Sequence, residues 1–266
     1  MKRIIIAMLT GVAAVAGLHQ RASAADLAVK GLHPTLVPSS WTGFYVGVHA
    51  GAAWQSTPNW TFSDPLGFFS TTTVNSGGTS AIGAIGGIHG GYNWQFAPAW
   101  VAGLEGDISW TSLSDRRAVG SLVNAAGLGG ANVSMSAITE WLTSVRGKLG
   151  FTGWFSNTMF YATGGVAWAN VEYAAQTTVA PPLSAGSLFT APMSFNTTKS
   201  GWVIGCGAEW MATTNILLRA EYLYYGINNA ATGVASFSPS VVGTSTVYSW
   251  SRDTIQVFRL AGSYRF

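Results

Sequence analysis

From Trp41 onward, apolar residues alternate with small or polar ones in eight separate stretches. A period of two puts successive side chains on opposite faces of a strand. The first stretch, Thr42 to Trp54, sets Phe44, Val46, Val48, Ala50, Ala52 and Trp54 on one face and Gly43, Tyr45, Gly47, His49 and Gly51 on the other. The pattern returns over Ala81 to Phe96, Trp100 to Trp110, Ile138 to Phe151, Met159 to Val171, Gly201 to Met211, Ile216 to Tyr225 and Thr254 to Phe266. Within these stretches charged residues keep to one parity, opposite the large apolar side chains. The connections alternate: 97–99, 152–158 and 212–215 are short, whereas 55–80, 112–137, 174–198 and 227–253 are long. Eight antiparallel strands joined up-and-down are predicted.

Composition decides what surrounds them. Only 9% of residues are charged, beside 33 glycines and 12 tryptophans, where a water-exposed domain carries about 25% charge. Outside the N-terminus no apolar run approaches the roughly 20 residues of a membrane helix. Strands can cross hydrocarbon only by closing on themselves, because every backbone amide there needs an internal partner. The expectation is an all-β, eight-stranded antiparallel up-and-down transmembrane barrel, with short periplasmic turns and four long extracellular loops. Trp41, Trp54, Trp94, Trp100, Trp110, Trp210 and Tyr264 stand at strand ends and read as interfacial girdles. A soluble sandwich shares the period of two, but has no need of alternating loop lengths.

The first residues read as an export signal: Lys2 and Arg3, an apolar run from Ile4 to Leu18, then Ala22-Ser23-Ala24 as a small-x-small cleavage site. Residues 1–24 are expected to be removed, 25–40, with Pro34 and Pro38, to form a periplasmic lead-in, and 41–266 to form the barrel in the cell outer membrane. Loss of Lys2, Arg3 and Arg21 takes the 13 basic residues to ten, against ten acidic ones. No clustered basic face is left for a nucleic-acid partner. The lone Cys206 excludes an internal disulfide.

On the inward parity stand Glu105, Asp107, Glu140, Glu209 and Glu221, together with Arg146, Lys148, Arg219, Arg259 and Arg265. Eight strands enclose a bore just wide enough to be filled by side chains. Charges there must pair, so a salt-bridged lumen network is expected, and no wide channel. Glu105 and Asp107 could instead be read as a carboxylate pair for catalysis, but filling the lumen already calls for them. His49 and His89 are inward too, and make a weak ligand set without a matched carboxylate or cysteine; a lumenal hydrogen-bonding role is expected, and no metal or cofactor. A barrel enzyme would need a Ser-His or Asp-His pair at the outer rim or on the lipid face, and no Ser-His pair is placed there, so the chain is read as no enzyme and no catalytic residue is assigned. Gly83 to Gly91 and Gly164-Gly165 precede no helix and fail as phosphate loops; close strand packing and inward room explain them. The long loops read as solvated, with Asp115, Arg116 and Arg117 almost their only charges.

Several runs resemble the small outer-membrane barrels of alphaproteobacteria, the porin-like group of the Brucella major surface antigens and the rhizobial RopB proteins. They are Trp41-Thr42-Gly43-Phe44-Tyr45-Val46-Gly47, Tyr161 to Trp168, Gly201 to Trp210, Leu218 to Tyr225 and Arg259 to Phe266. The resemblance implies outer-membrane residence against lipid and lipopolysaccharide, a role in envelope integrity, and surface contact with a host or the envelope through the loops. It also implies that Phe266, with Tyr264 two before it, is read by the barrel-assembly machinery. Some members are described as haem-binding, yet no matching ligand motif is evident. The lead-in has fewer prolines than is usual in the group, Cys206 stands for a small apolar residue, and Tyr225-Gly226 where an acidic residue is expected. A narrow porin-like channel for small solutes is the alternative to a plugged structural barrel.

Overall fold

The computed structural model describes residues 40–56, 60–63, 72–74, 81–123, 130–179, 189–227, 231–236, 245–250 and 253–266. The expected signal segment and nearly all of the lead-in lie outside them. The chain forms twelve described strands: β1 (Gly43–Ser56), β2 (Trp60–Ser63), β3 (Thr72–Val74), β4 (Ala81–Ala97), β5 (Trp100–Val123), β6 (Gly130–Phe155), β7 (Thr158–Val179), β8 (Phe189–Met211), β9 (Ile216–Ile227), β10 (Ala231–Ser236), β11 (Ser245–Trp250) and β12 (Asp253–Arg265).

Eight of them, β1, β4, β5, β6, β7, β8, β9 and β12, close into an antiparallel barrel in which each pairs with its neighbour along the chain. The seam joins β12 to β1, from Tyr45 opposite Arg265 to Ser56 opposite Thr254. Closure leaves no open sheet edge around the ring, which is the condition for strands to stand in hydrocarbon. The outward parity carries Phe44, Val48, Ile88, Leu104, Val145 and Leu260, all exposed. The lower rim, beside the short turns, carries exposed Trp94, Trp100, Trp154, Trp210, Tyr264 and Phe266.

Trp41 departs from the girdle expected of it. It is 1% exposed and its backbone N–H donates to Gln95 Oε1 at 3.0 Å, so its indole fills the periplasmic mouth. Position before the first strand, and not parity, governs it.

Inside, three layers follow one another from the short-turn end upward. Trp41, Tyr45, Val101, Met159, Met211 and Leu217 form an apolar floor. Charged and polar side chains come next. Above them Ala53, Ile85, Leu142, Val203, Leu223 and Val257 begin a second apolar layer that continues into the part of the molecule beyond the membrane. The charged side chains of the bore are thus concentrated at mid-height, between the two apolar layers.

The long connections are not simply solvated loops. β5, β6, β7 and β8 run for 24, 26, 22 and 23 residues, where an apolar band of about 25 Å needs about ten. They rise beyond the membrane as a four-stranded wall. Two intervening segments, one from each of two expected loops, leave the barrel and build a cap sheet in the order β10-β11-β2-β3. Wall and cap share an aromatic core: Tyr173 stacks on Phe195 with centroids 5.3 Å apart, and Trp250 lies 5.0 Å from Tyr173. The Tyr248 hydroxyl donates to Ala191 O at 3.2 Å and meets Thr177 Oγ1 at 2.6 Å, fastening cap to wall. Burial pushes that phenol above its usual range, which keeps the donor in place.

Glycine makes room for the long buried side chains. Arg146 faces Gly165 across the ladder, Arg259 faces Gly51, Glu105 faces Gly91 and Glu221 faces Gly207. A Cβ on Gly165 would stand 2.0 Å from Val145 O and 2.8 Å from Arg146 Cα. Backbone cannot yield there without opening the β6–β7 ladder. Gly165→Val is therefore expected to abolish the folded species, read as loss of the heat-sensitive shift in gel mobility, whereas Gly164→Val, whose outward Cβ meets nothing closer than 3.6 Å, keeps it.

Candidate functional site

Among the described residues, the mid-height layer holds the largest group of ionisable side chains buried away from water. Strand parity delivers them: Glu105 and Asp107 from β5, Arg146 and Lys148 from β6, Glu209 from β8, Arg219 and Glu221 from β9, and Arg259 from β12, each nearly fully buried. Glu105 is the hub. Its two oxygens take Arg146 Nη2 and Arg219 Nη1, both at 2.5 Å, and the Tyr45 hydroxyl donates to it at 2.7 Å. Glu221 accepts from Arg146 Nη1 at 3.0 Å, Arg259 Nε at 2.8 Å and the Tyr161 hydroxyl at 2.9 Å. Glu209 binds Arg219 Nη2 at 2.8 Å and Lys148 Nζ at 3.3 Å. Asp107 meets Arg146 and Arg259, each at 3.2 Å, and accepts from Ser144.

The layer holds four carboxylates and four cations. Sequence parity places five of each there, and two of those positions differ in the structure. Glu140 is exposed on the outer wall. The register shifts between Thr139 and Trp141 against β7 and between Trp110 and Leu113 against β5, so β6 bulges at Glu140. A bulge inserts a residue and moves every later side chain to the other face: below it Leu142, Ser144 and Arg146 point in, above it Thr139, Ala137 and Met135 do. Thr111 Oγ1 donates to Thr139 O at 2.5 Å and Ser112 Oγ accepts from Ala84 N–H at 2.9 Å, occupying groups the irregular ladder frees. Arg265 is inward but below the layer, bonding Ser40 O and Thr214 O at the periplasmic rim. One acid and one base leave together, so neutrality survives. Tyr264 and Phe266 face outward at that rim with ring centroids 5.2 Å apart.

Sequence reading left His49 and His89 without defined partners. The barrel sets their Nδ1 atoms 3.3 Å apart, His49 Nε2 2.8 Å from Ser109 Oγ and 3.3 Å from Arg259 Nη1, and His89 Nε2 2.8 Å from Ser263 Oγ. Arginine only donates, so His49 Nε2 accepts and its proton sits on Nδ1. His89 Nδ1 must then accept, and His89 Nε2–H donates to Ser263. All four ring nitrogens are engaged in hydrogen bonds. Nitrogen-15 spectra of selectively labelled protein should show opposite tautomers, Nδ1–H on His49 and Nε2–H on His89; Nε2–H on both would refute the chain of donors.

Two serine–histidine contacts thus exist, but at the centre of the bore and not at its rim. Ser109 is 0% exposed. Asp107 contacts the serine, at 3.3 Å, while His49 Nδ1 faces a second imidazole, so a carboxylate does not orient the base as hydrolysis by such a pair requires.

Comparison with known proteins agrees with this architecture. Residues 10–266 match the family model described as an outer membrane protein beta-barrel domain. The 31 kDa outer-membrane immunogenic proteins of Brucella melitensis and Brucella suis are each 33% identical over 258 residues, covering 93% of this chain and 97% of theirs. Among solved structures, the outer membrane protein OprG of Pseudomonas aeruginosa is similar at 14% identity and a TM-score of 0.42, covering 85% of this chain and 96% of that one. Ail, the attachment invasion locus protein of Yersinia pestis, is similar at 13% and 0.35, covering 85% and 99%. With its closed eight-stranded wall, lipid-facing apolar parity and full-length match, the chain belongs to the outer membrane protein beta-barrel family, in the group of the Brucella outer-membrane immunogenic proteins, and resides in the outer membrane.

Proposed function

We propose that the protein is a sealed structural barrel that reinforces the outer membrane and offers its extracellular wall and cap as a contact surface, without catalysis. One observation carries the reading: the cross-section of the bore at mid-height is filled by eight interlocked charged side chains, between apolar layers above and below. A hydrated ion would have to shed its water to enter either apolar layer and then displace an ion pair, each of which costs several kcal/mol. The layer also ties β5, β6, β8, β9 and β12 together across the lumen, which suits a load-bearing part of the envelope.

Planar-bilayer recording tests it. Protein whose folding has been checked by heat-sensitive gel migration is expected to give no stable openings, and a strain lacking it to become more sensitive to detergents. Reproducible single-channel steps from the folded protein would replace this reading with a narrow solute channel.

A further inference from the structure

The geometry points to the outer face of the β5–β8 wall, above the membrane, as the surface on which the sugar chain of lipopolysaccharide lies. The outward parity of these strands changes character at the Glu140 bulge. Below it stand Trp110, Trp141, Trp168 and Trp202; above it the ladder aligns Arg116, Ser136, Ala174 and Ser194 in one row and Ala118, Ser134, Gln176 and Pro192 in the next. Alternate residues of the same strands, such as Met135, Tyr173 and Ala191, are buried in the extracellular core. The polar face is therefore a built surface and not the outside of a loop.

Height chooses the occupant. Ser136 stands five residues above Trp141, about 13 Å at about 3.3 Å per residue and a tilt of about 40°. Whatever lies against a barrel wall at that distance above its lipid-facing tryptophans is headgroup, and in the outer leaflet of a Gram-negative outer membrane the headgroup is a phosphorylated sugar chain. The two rows are continuous with the lipid contact and belong to the same four strands.

The chemistry fits. The rows line an open groove of about 710 Å³. Ser136 and Ala174 keep its floor close to the backbone, so a flat sugar ring can approach. Ser134 and Gln176 supply hydroxyl and amide groups, and the exposed Arg116 guanidinium matches a phosphate or an acidic sugar. Glu140 and Glu172 lie on this face nearer the membrane; divalent cations shared with lipid phosphates would offset their repulsion.

The test reconstitutes the folded full-length chain with lipopolysaccharide carrying a complete core, with deep-rough lipopolysaccharide lacking core sugars, or with phospholipid alone, in the presence of magnesium. Complete-core glycolipid is expected to raise the unfolding temperature above the deep-rough form. Arg116→Ala and Ala174→Trp should each erase that increment while leaving the phospholipid value unchanged. A photo-reactive side chain at position 136 should crosslink to glycolipid. The proposal is overturned if deep-rough and complete-core forms stabilise equally, if both variants keep the increment, or if the crosslink goes to a protein. None of these results bears on conductance, so the sealed-bore reading stands or falls separately.

Discussion

Replacing Glu105 with glutamine should cost the folded barrel about 3–5 kcal/mol, the penalty for breaking a buried ion pair and leaving its partners uncompensated. Glu105 accepts from Arg146 and Arg219 at 2.5 Å each, and both guanidiniums are sealed from water, with side chains at most 1% exposed. Neutralising the hub turns a layer of four against four into one of three against four. Urea unfolding in vesicles, followed by gel mobility, reads the loss. Removing a cation as well, in Glu105→Gln with Arg219→Met, should recover part of it, because the uncompensated charge is then gone. Glu140→Gln provides the contrast: the side chain lies on the outer wall, so the change should fall within about 0.5 kcal/mol. An equal cost at both positions would mean that Glu105 is not at the centre of a buried network.

Leu104→Arg is the complementary change, one residue away. Leu104 is 61% exposed on the outer wall at the height of the charged layer, where it meets hydrocarbon. An arginine there should destabilise the barrel by about 2–4 kcal/mol, as expected near a bilayer midplane. The neighbouring positions 105 and 107 carry native charge without harm because parity turns them inward. Refolding into bilayers of decreasing thickness separates this effect from simple overpacking, since a long arginine reaches headgroups more easily in a thin membrane and the penalty should shrink. Full stability of Leu104→Arg in a thick bilayer would show that this face does not meet lipid.

Much of this was legible because a barrel wall makes few exceptions to a period of two. Phe44 to Trp54, Trp100 to Trp110 and Leu218 to Tyr224 each carry strong contrast between large apolar and charged or small residues, and their orientation follows directly. Glu140 was not legible: nothing in Thr139-Glu140-Trp141 marks a bulge, and a single inserted residue reverses parity beyond it. The wall above the membrane was missed for a related reason. Ala131, Val133, Met135 and Ala137 alternate with Asn132, Ser134 and Ser136, but alanine and serine differ too little to distinguish strand from loop. Asp115, Arg116 and Arg117 look like a solvated charge run, yet the strand divides them: Arg117 turns in to Asp115 at 2.6 Å and lies over Trp60 at 4.2 Å, while Arg116 faces out. The glycines acquire their meaning only from register, since the match of Gly165 to Arg146 or Gly51 to Arg259 joins positions on different strands. The opposite histidine tautomers likewise depend on Arg259, 210 residues from His49.

Site-directed spin labelling along positions 101–111, one label at a time with Cys206 replaced by alanine and the protein in lipid vesicles, tests the three-layered bore most directly. Labels at even positions should relax strongly with oxygen, which concentrates in hydrocarbon, while those at odd positions should respond to neither oxygen nor a water-soluble nickel reagent. Strong nickel access at positions 105, 107 and 109 would mean a water-filled passage and contradict the account.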